Sequence, residues 1–231
     1  MLALMKDYGT ALIFFATFLV ISFMRSGSIA TIALAVTGAG LAGFLAITAM
    51  PHIKNRFSSW GHVWEDDFVF AGGYQQARAM SGAASGGLFG KGAGNGWLKD
   101  DFAANADTVF GVLCEEMGLI IAVIAIFAIL ILAFFAVRNT YQGRSAYYSI
   151  ASCATASIFM IQMMLNVFGS VDILPFTGVT FPFVSHGGTS LLSCWMLLAF
   201  IKAGDTRKGA SFVVRPADEK KKVKSKEAEE I

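Results

Sequence analysis

A single run of 19 residues, Leu119 to Val137 (LIIAVIAIFAILILAFFAV), contains no polar side chain. At about 1.5 Å per residue, a helix of this length nearly matches the roughly 30 Å hydrocarbon core of a bilayer. The run therefore reads as a membrane helix. Its head carries Asp107, Glu115 and Glu116, which places three carboxylates at or near one membrane face. Carboxylates held at such a place are costly, and that marks them as functional candidates.

The rest of the chain is of the same material. It is 55% hydrophobic and 15% charged, with a formal net charge of +2, a balance far from that of a soluble domain and with no basic excess to suggest nucleic acid. Cys114, Cys153 and Cys194 all fall in apolar segments without metal or redox spacing and read as small packing residues. Lys6 and Asp7 precede an apolar run that no small-residue cleavage site follows, so no cleavable signal is expected.

In order, the spacing predicts an all-α polytopic membrane protein with about five spans, near 8–24, 28–50, 108–137, 146–169 and 180–201. Arg25 and Gly27 fall in a tight turn between the first two. Gly38, Gly40 and Gly43 in the second suit close helix packing in lipid. Residues 52–107 are Gly-rich, mixed in charge, and carry Trp60, Trp64 and Trp97; they are expected to form one long ordered loop at the membrane interface. Pro175, Pro182 and Gly187-Gly188 interrupt the last apolar stretch. It reads either as irregular backbone that becomes helical near Thr189 or as a Pro-kinked helix. Residues 205–231 form a Lys/Glu-rich tail, expected to be disordered. Arg25, Arg138, Arg144 and the nine Lys and Arg from Lys202 onward lie on one side, 12 of the 18 in the chain. The positive-inside rule makes that side, with the C-terminus, cytoplasmic. The 52–107 loop and Asp107 are then outside, without access to cytoplasmic ATP.

Several motifs fail on inspection. In SGGLFGKGAGNG, Ser85 and Gly92 stand where a Walker loop needs Gly and Ser or Thr, and Trp97 stands where a dinucleotide fingerprint needs its third glycine. What remains is a backbone-rich loop with Lys91, able to approach an anionic headgroup, or simply a turn-rich connection. Asp107 is well placed to be a helix N-cap, and residue type and position alone favour capping over catalysis. Glu115 would rise about 12 Å above Asp107 on a regular helix, with Glu116 on the opposite face. That is outside the roughly 5–9.5 Å of a glycosidase pair, so both glutamates read as structural, with Arg56 or Arg78 as partners. His52, His62 and His186 lack ligand spacing, and His186 reads as a packing residue.

Four segments in order carry a resemblance: YGTALIF (Tyr8 to Phe14), GYQQARAM with ASGGLFGKGAGNG (Gly73 to Gly96), ADTVFGVLCEEMGLI (Ala106 to Ile120) and LPFTGVTFPFVSHGGTSLL (Leu174 to Leu192). The chain resembles the C-terminal half of the SEDS family (shape, elongation, division and sporulation; RodA/FtsW/SpoVE-like proteins) everywhere except its tail. The resemblance implies a glycosyltransferase of the bacterial cytoplasmic membrane. Such an enzyme polymerises lipid II into glycan strands outside the membrane, beside a class B penicillin-binding protein. It implies that Asp107, at the family's essential acidic position, is the catalytic residue, which reverses the order of capping and catalysis. Asp107 would take the acceptor hydroxyl proton, with the helix N-terminus favouring its charged form. Lys91 and Arg78, with Gln75, Gln76, Ser185 and His186, would bind substrate. A divalent cation, Mg or Mn, could help neutralise the pyrophosphate. Ala106, Cys114 and His186 depart from the family's usual residues, and about five N-terminal spans are unmatched. A partner chain would supply them, or the chain is a fragment. Two other readings stay open: a lipid II flippase, and a non-catalytic scaffold of a cell-wall complex.

Overall fold

The computed structural model describes residues 8–49, 54, 57–101, 104–142 and 146–205. His52, Arg56, Arg144 and the tail beyond Asp205 lie outside the described residues. Among those described, every regular element is helical.

The first helix, α1 (Tyr8–Ser26), is apolar around most of its circumference and ends at Gly27. Gly27 takes φ +62 and its N–H donates to the Phe23 carbonyl at 2.8 Å, a left-handed cap that closes the helix. Two residues later α2 (Ile29–Ala49) begins. Its main packing among the described helices is on α1, and a Cβ at Gly38, Gly40 or Gly43 would meet nothing within 4 Å there.

The long connection folds rather than trailing. It contains α3 (Asp66–Val69), α4 (Tyr74–Gly86) and a 3₁₀ turn, Leu98–Asp100. Next come α5 (Val109–Gln142), α6 (Ala146–Ser170) and, after irregular backbone, α7 (Gly188–Asp205). The irregular reading of the Pro-interrupted stretch holds, and the Pro-kinked helix does not form. The backbone from Val171 to Gly187 is non-helical, with Asp172 and Phe183 at φ +60 and +63. Ring contacts of Phe183, tilted against Phe159 and edge-on to Trp195, hold one of these two residues in place.

The core runs along α5 and α6, where Ala122, Ile129, Ala133 and Ala136 of α5 meet Phe159, Met163 and Val167 of α6, with Phe181, Cys194 and Ile201 closing one side. Cys114 and Cys194 are buried and unbridged, as packing residues should be. The helices alternate in direction. Near one end Ile13 of α1 packs with Leu165 and Val179, and at the other Tyr148 of α6 stacks on Phe200 of α7. The connection 57–107 and the irregular backbone 171–187 thus share one end, where the Trp60 indole donates to the Ile173 carbonyl at 3.2 Å. Arg25 and Arg138 sit at the opposite one.

Among the described residues three helices are long and apolar enough to cross a membrane, Tyr8–Ser26, Val109–Arg138 and Ala146–Ser170, and two shorter apolar helical stretches accompany them, Ile29–Leu41 and Gly188–Lys202. Their outer surfaces are greasy. Leu34, Phe44, Phe134 and Met196 are each more than 60% exposed, which only lipid or further protein can accommodate.

Candidate catalytic site

The head of α5 is where the structure departs most from the expected continuous helix. Gly118 takes φ 87 and ψ 164 and breaks it. A break orphans carbonyls on one side and N–H groups on the other, which lipid cannot satisfy. The glycine-rich loop fills the gap. Lys91 N and Gly92 N each donate at 2.9 Å, to the carbonyls of Glu115 and Glu116, while Leu119 N and Ile120 N donate to Gly87 O and Leu88 O at 3.0 and 3.3 Å. A Cβ at Gly118 would collide with the Leu88 carbonyl oxygen, and one at Gly90 with that of Glu116. Glycine at 90 and 118 is therefore what lets the two backbones dock.

The same clasp settles three predicted residues. Glu115 is fully buried and accepts from Lys91 Nζ at 2.8 Å, Leu98 N at 2.9 Å and Trp97 N at 3.2 Å. Among the described residues its cationic partner is Lys91 and not Arg78, while Arg56 lies outside them. Glu116 accepts from Gly94 N at 2.9 Å. Arg78 grips Asp101 with two bonds, Nε at 2.6 Å and Nη2 at 2.7 Å, and lies 4.1 Å over the Trp97 ring. The hydrogen bonding with Asp101 raises the Arg78 pKa further above its ordinary value, against the opposing effect of burial.

Asp107 stands in the turn before α5, not at its cap. The first intrahelical bond runs from Val112 N to Thr108 O, so Thr108 is the N-cap and Asp107 precedes it. Three neighbours pin the turn. Asn166 of α6, 2% exposed, donates through Nδ2 to Asp107 O at 2.9 Å and to Val179 O at 2.7 Å. Two carbonyl acceptors leave no ambiguity about which way its amide points. Ser185 Oγ accepts from Phe181 N at 2.8 Å and donates to Ala106 O at 2.7 Å. His186 N donates to Asn105 O at 2.8 Å. Gly178, at φ +68, faces the carboxylate; a Cβ there would stand 3.4 Å from Asp107 Oδ2. Only glycine takes that backbone readily and leaves the carboxylate this much room.

Two clefts flank the turn and meet at Asp101. One, of about 170 Å³, is lined by Tyr74, Gln75, Arg78, Leu98, Asp101 and Thr108. The other, of about 280 Å³, is lined by Asp101, Ala104, Asn105, Ala106 and His186. Gln75 and Arg78 thus line the first cleft with Thr108, and His186 lines the second with Ala106, the two residues on either side of Asp107. Gln76 does not: it is buried, donating to Gly169 O at 2.8 Å and Asp172 Oδ1 at 3.3 Å. Ser185 is a loop pin. Among the described residues no group of three or more His, Cys, Asp or Glu is arranged to hold a metal, so no step is routed through one.

Sequence reasoning missed Asn166, Asp101 and Gly178. Asn166 had a signal, a lone carboxamide inside the apolar run MMLNVF, where a polar group must find a partner. Nothing in the sequence pointed to Gly178 facing Asp107.

A polytopic membrane protein, with a helix broken at its head and an acidic turn held against an irregular segment, is the class that fold and site define. The chain belongs to the FtsW/RodA/SpoVE family, described as "Cell cycle protein", whose profile matches residues 1–208. It is 31% identical over 200 residues to the peptidoglycan glycosyltransferase RodA of Mycobacterium leprae, covering 85% of this chain and 42% of that protein. It is 32% identical over 192 residues to the probable peptidoglycan glycosyltransferase FtsW of Moranella endobia, covering 80% and 50%. The chain spans about half the length of the curated relatives it matches. A chain from a solved peptidoglycan synthase complex shares the fold, with a TM-score of 0.68 at 19% identity, over 90% of this chain and 59% of that one.

Proposed function

We propose that the chain is the Asp107-bearing half of a peptidoglycan glycosyltransferase. It polymerises lipid II at the outer face of the bacterial cytoplasmic membrane, in elongation, division or sporulation, beside a class B penicillin-binding protein. The acceptor hydroxyl attacks the anomeric carbon of the donor sugar as the bond to the lipid pyrophosphate breaks. The bonding pair leaves with the pyrophosphate, and Asp107 takes the hydroxyl proton. A positioned base of this kind contributes about 10²–10⁴-fold. The observation that carries this reading is the turn itself: residues 105–107 are tied through three successive carbonyls to α6 and the irregular segment, beside two clefts.

Within this reading Lys91 belongs to the structural set, since its ammonium is engaged by buried Glu115. Arg78 keeps a place at the cleft, because the Asp101 pair uses two of its five N–H groups. Ile29–Leu41 and Gly188–Lys202 complete five spans. The C-terminus is then cytoplasmic, on the side of Arg25 and Arg138.

Lipid II polymerisation by the purified chain, with and without a separately expressed N-terminal half from a relative, tests the proposal. Glycan strands are expected with the half added, and none from Asp107→Ala. Strands from that variant at the parent rate remove Asp107 as the base. Chelation in the same assay reads the divalent-cation requirement.

A further inference from the structure

The clasp has an apolar tip that its hydrogen bonding does not explain. Leu88 is 57% exposed and Phe89 82%, though both lie in a loop whose backbone is fixed at several points to α5. Their depth can be worked out. The 19 apolar residues from Leu119 to Val137 give a helix of about 28 Å, just short of the roughly 30 Å hydrocarbon core. Such a helix spans the core only if Leu119 sits at the hydrocarbon boundary. Leu119, Ile120, Ile121 and Ile124 are 45, 44, 41 and 56% exposed, as residues facing acyl chains should be. Leu119 N and Ile120 N donate directly to Gly87 O and Leu88 O, so the loop tip shares that depth.

The loop is also sided. Past Phe89, Lys91 Nζ turns back to Glu115 and Gly94 N to Glu116, carrying residues 91–95 away from the apolar pair. We propose that Leu88 and Phe89 form a wedge into the bilayer leaflet on the Asp107 side, in contact with phospholipid acyl chains. Burying apolar side chains of this kind is favourable, and lipid supplies that burial without any protein partner. The wedge anchors the clasp from below while Glu115 and Glu116 hold it from above. This inference depends on α5 spanning the membrane and not on the glycan-polymerase reading, so either can fail without the other.

Depth measurements decide it. The full 231-residue chain, with Cys114, Cys153 and Cys194 changed to alanine, is reconstituted in vesicles of phosphatidylethanolamine and phosphatidylglycerol. It carries a nitroxide at Phe89→Cys, Ile124→Cys or Ala93→Cys. Oxygen should relax the labels at 89 and 124 several-fold more than a water-soluble nickel chelate does, with the opposite ratio at 93. A label at 89 that behaves like the one at 93, or is shielded from both reagents, overturns the proposal. If the cysteine-free chain does not reconstitute, Phe89 is replaced by p-benzoylphenylalanine in the natural chain. Photolysis should then add the mass of one phospholipid; a protein adduct, or none, overturns it.

Discussion

The clasp around Glu115 and the turn around Asp107 lie on the same helix head, both rich in carboxylates and backbone hydrogen bonds, and they work differently. In the clasp a carboxylate is itself held, beside four backbone pairs: Glu115 is sealed at 0% exposure and bonded to a lysine and two amides. In the turn the ties end on main-chain carbonyls, donated by the side chains of Asn166 and Ser185 and by the His186 amide. The carbonyls of Asn105, Ala106 and Asp107 make the ties, while the side chains of Asn105 and His186 line a cleft. Acidity at a membrane face therefore does not by itself mark chemistry. What distinguishes the two is where the bonds end: on the sealed Glu115 carboxylate in the clasp, and on the carbonyls of residues 105–107 in the turn.

Substitutions in the two regions should separate stability from activity. Gly118→Val gives the largest stability loss: it forces a branched residue to φ 87 and into the Leu88 carbonyl. It should cost more than the roughly 1–3 kcal/mol of backbone strain alone, read as a lowered Tm in detergent. Asp107→Asn should leave Tm close to that of the parent and slow polymerisation about 100-fold or more. A matching fall in Tm would erase the contrast between the regions. Asn166→Ala strips a donor from two buried carbonyls, costing roughly 1–3 kcal/mol. If it positions Asp107, kcat should fall more than KM changes, whereas a purely structural role would lower only the yield of folded protein. Arg78→Lys loses the two-point grip on Asp101 and the stack on Trp97. At a partly exposed pair this is worth about 0.5–1 kcal/mol, the smallest shift of the set.

The membrane class was legible because it rests on uninterrupted apolar length, a property of the string of residues. So was the hairpin at Gly27, where a small residue and a charge punctuate two apolar runs, and so was the irregular backbone before Thr189, marked by its prolines and glycines. The break at Gly118 was not. A glycine in GLI after two glutamates looks like any other helical glycine until the 86–92 loop is seen docked against it. The pairing of Lys91 was not legible for the same reason: its partner, Glu115, is 24 positions away, and no local pattern records it.

Sequence by itself determined that this chain is a bundle of membrane helices with an acidic head on one of them, because hydrophobic length and charge placement act residue by residue. Tertiary structure alone decided which acid is sealed and which stands beside a cleft. Burial and hydrogen-bond partners come from segments far apart in the chain, and only their meeting in space shows that Lys91, Trp97 and Leu98 enclose Glu115 and that Asn166, Ser185 and His186 hold the turn at Asp107.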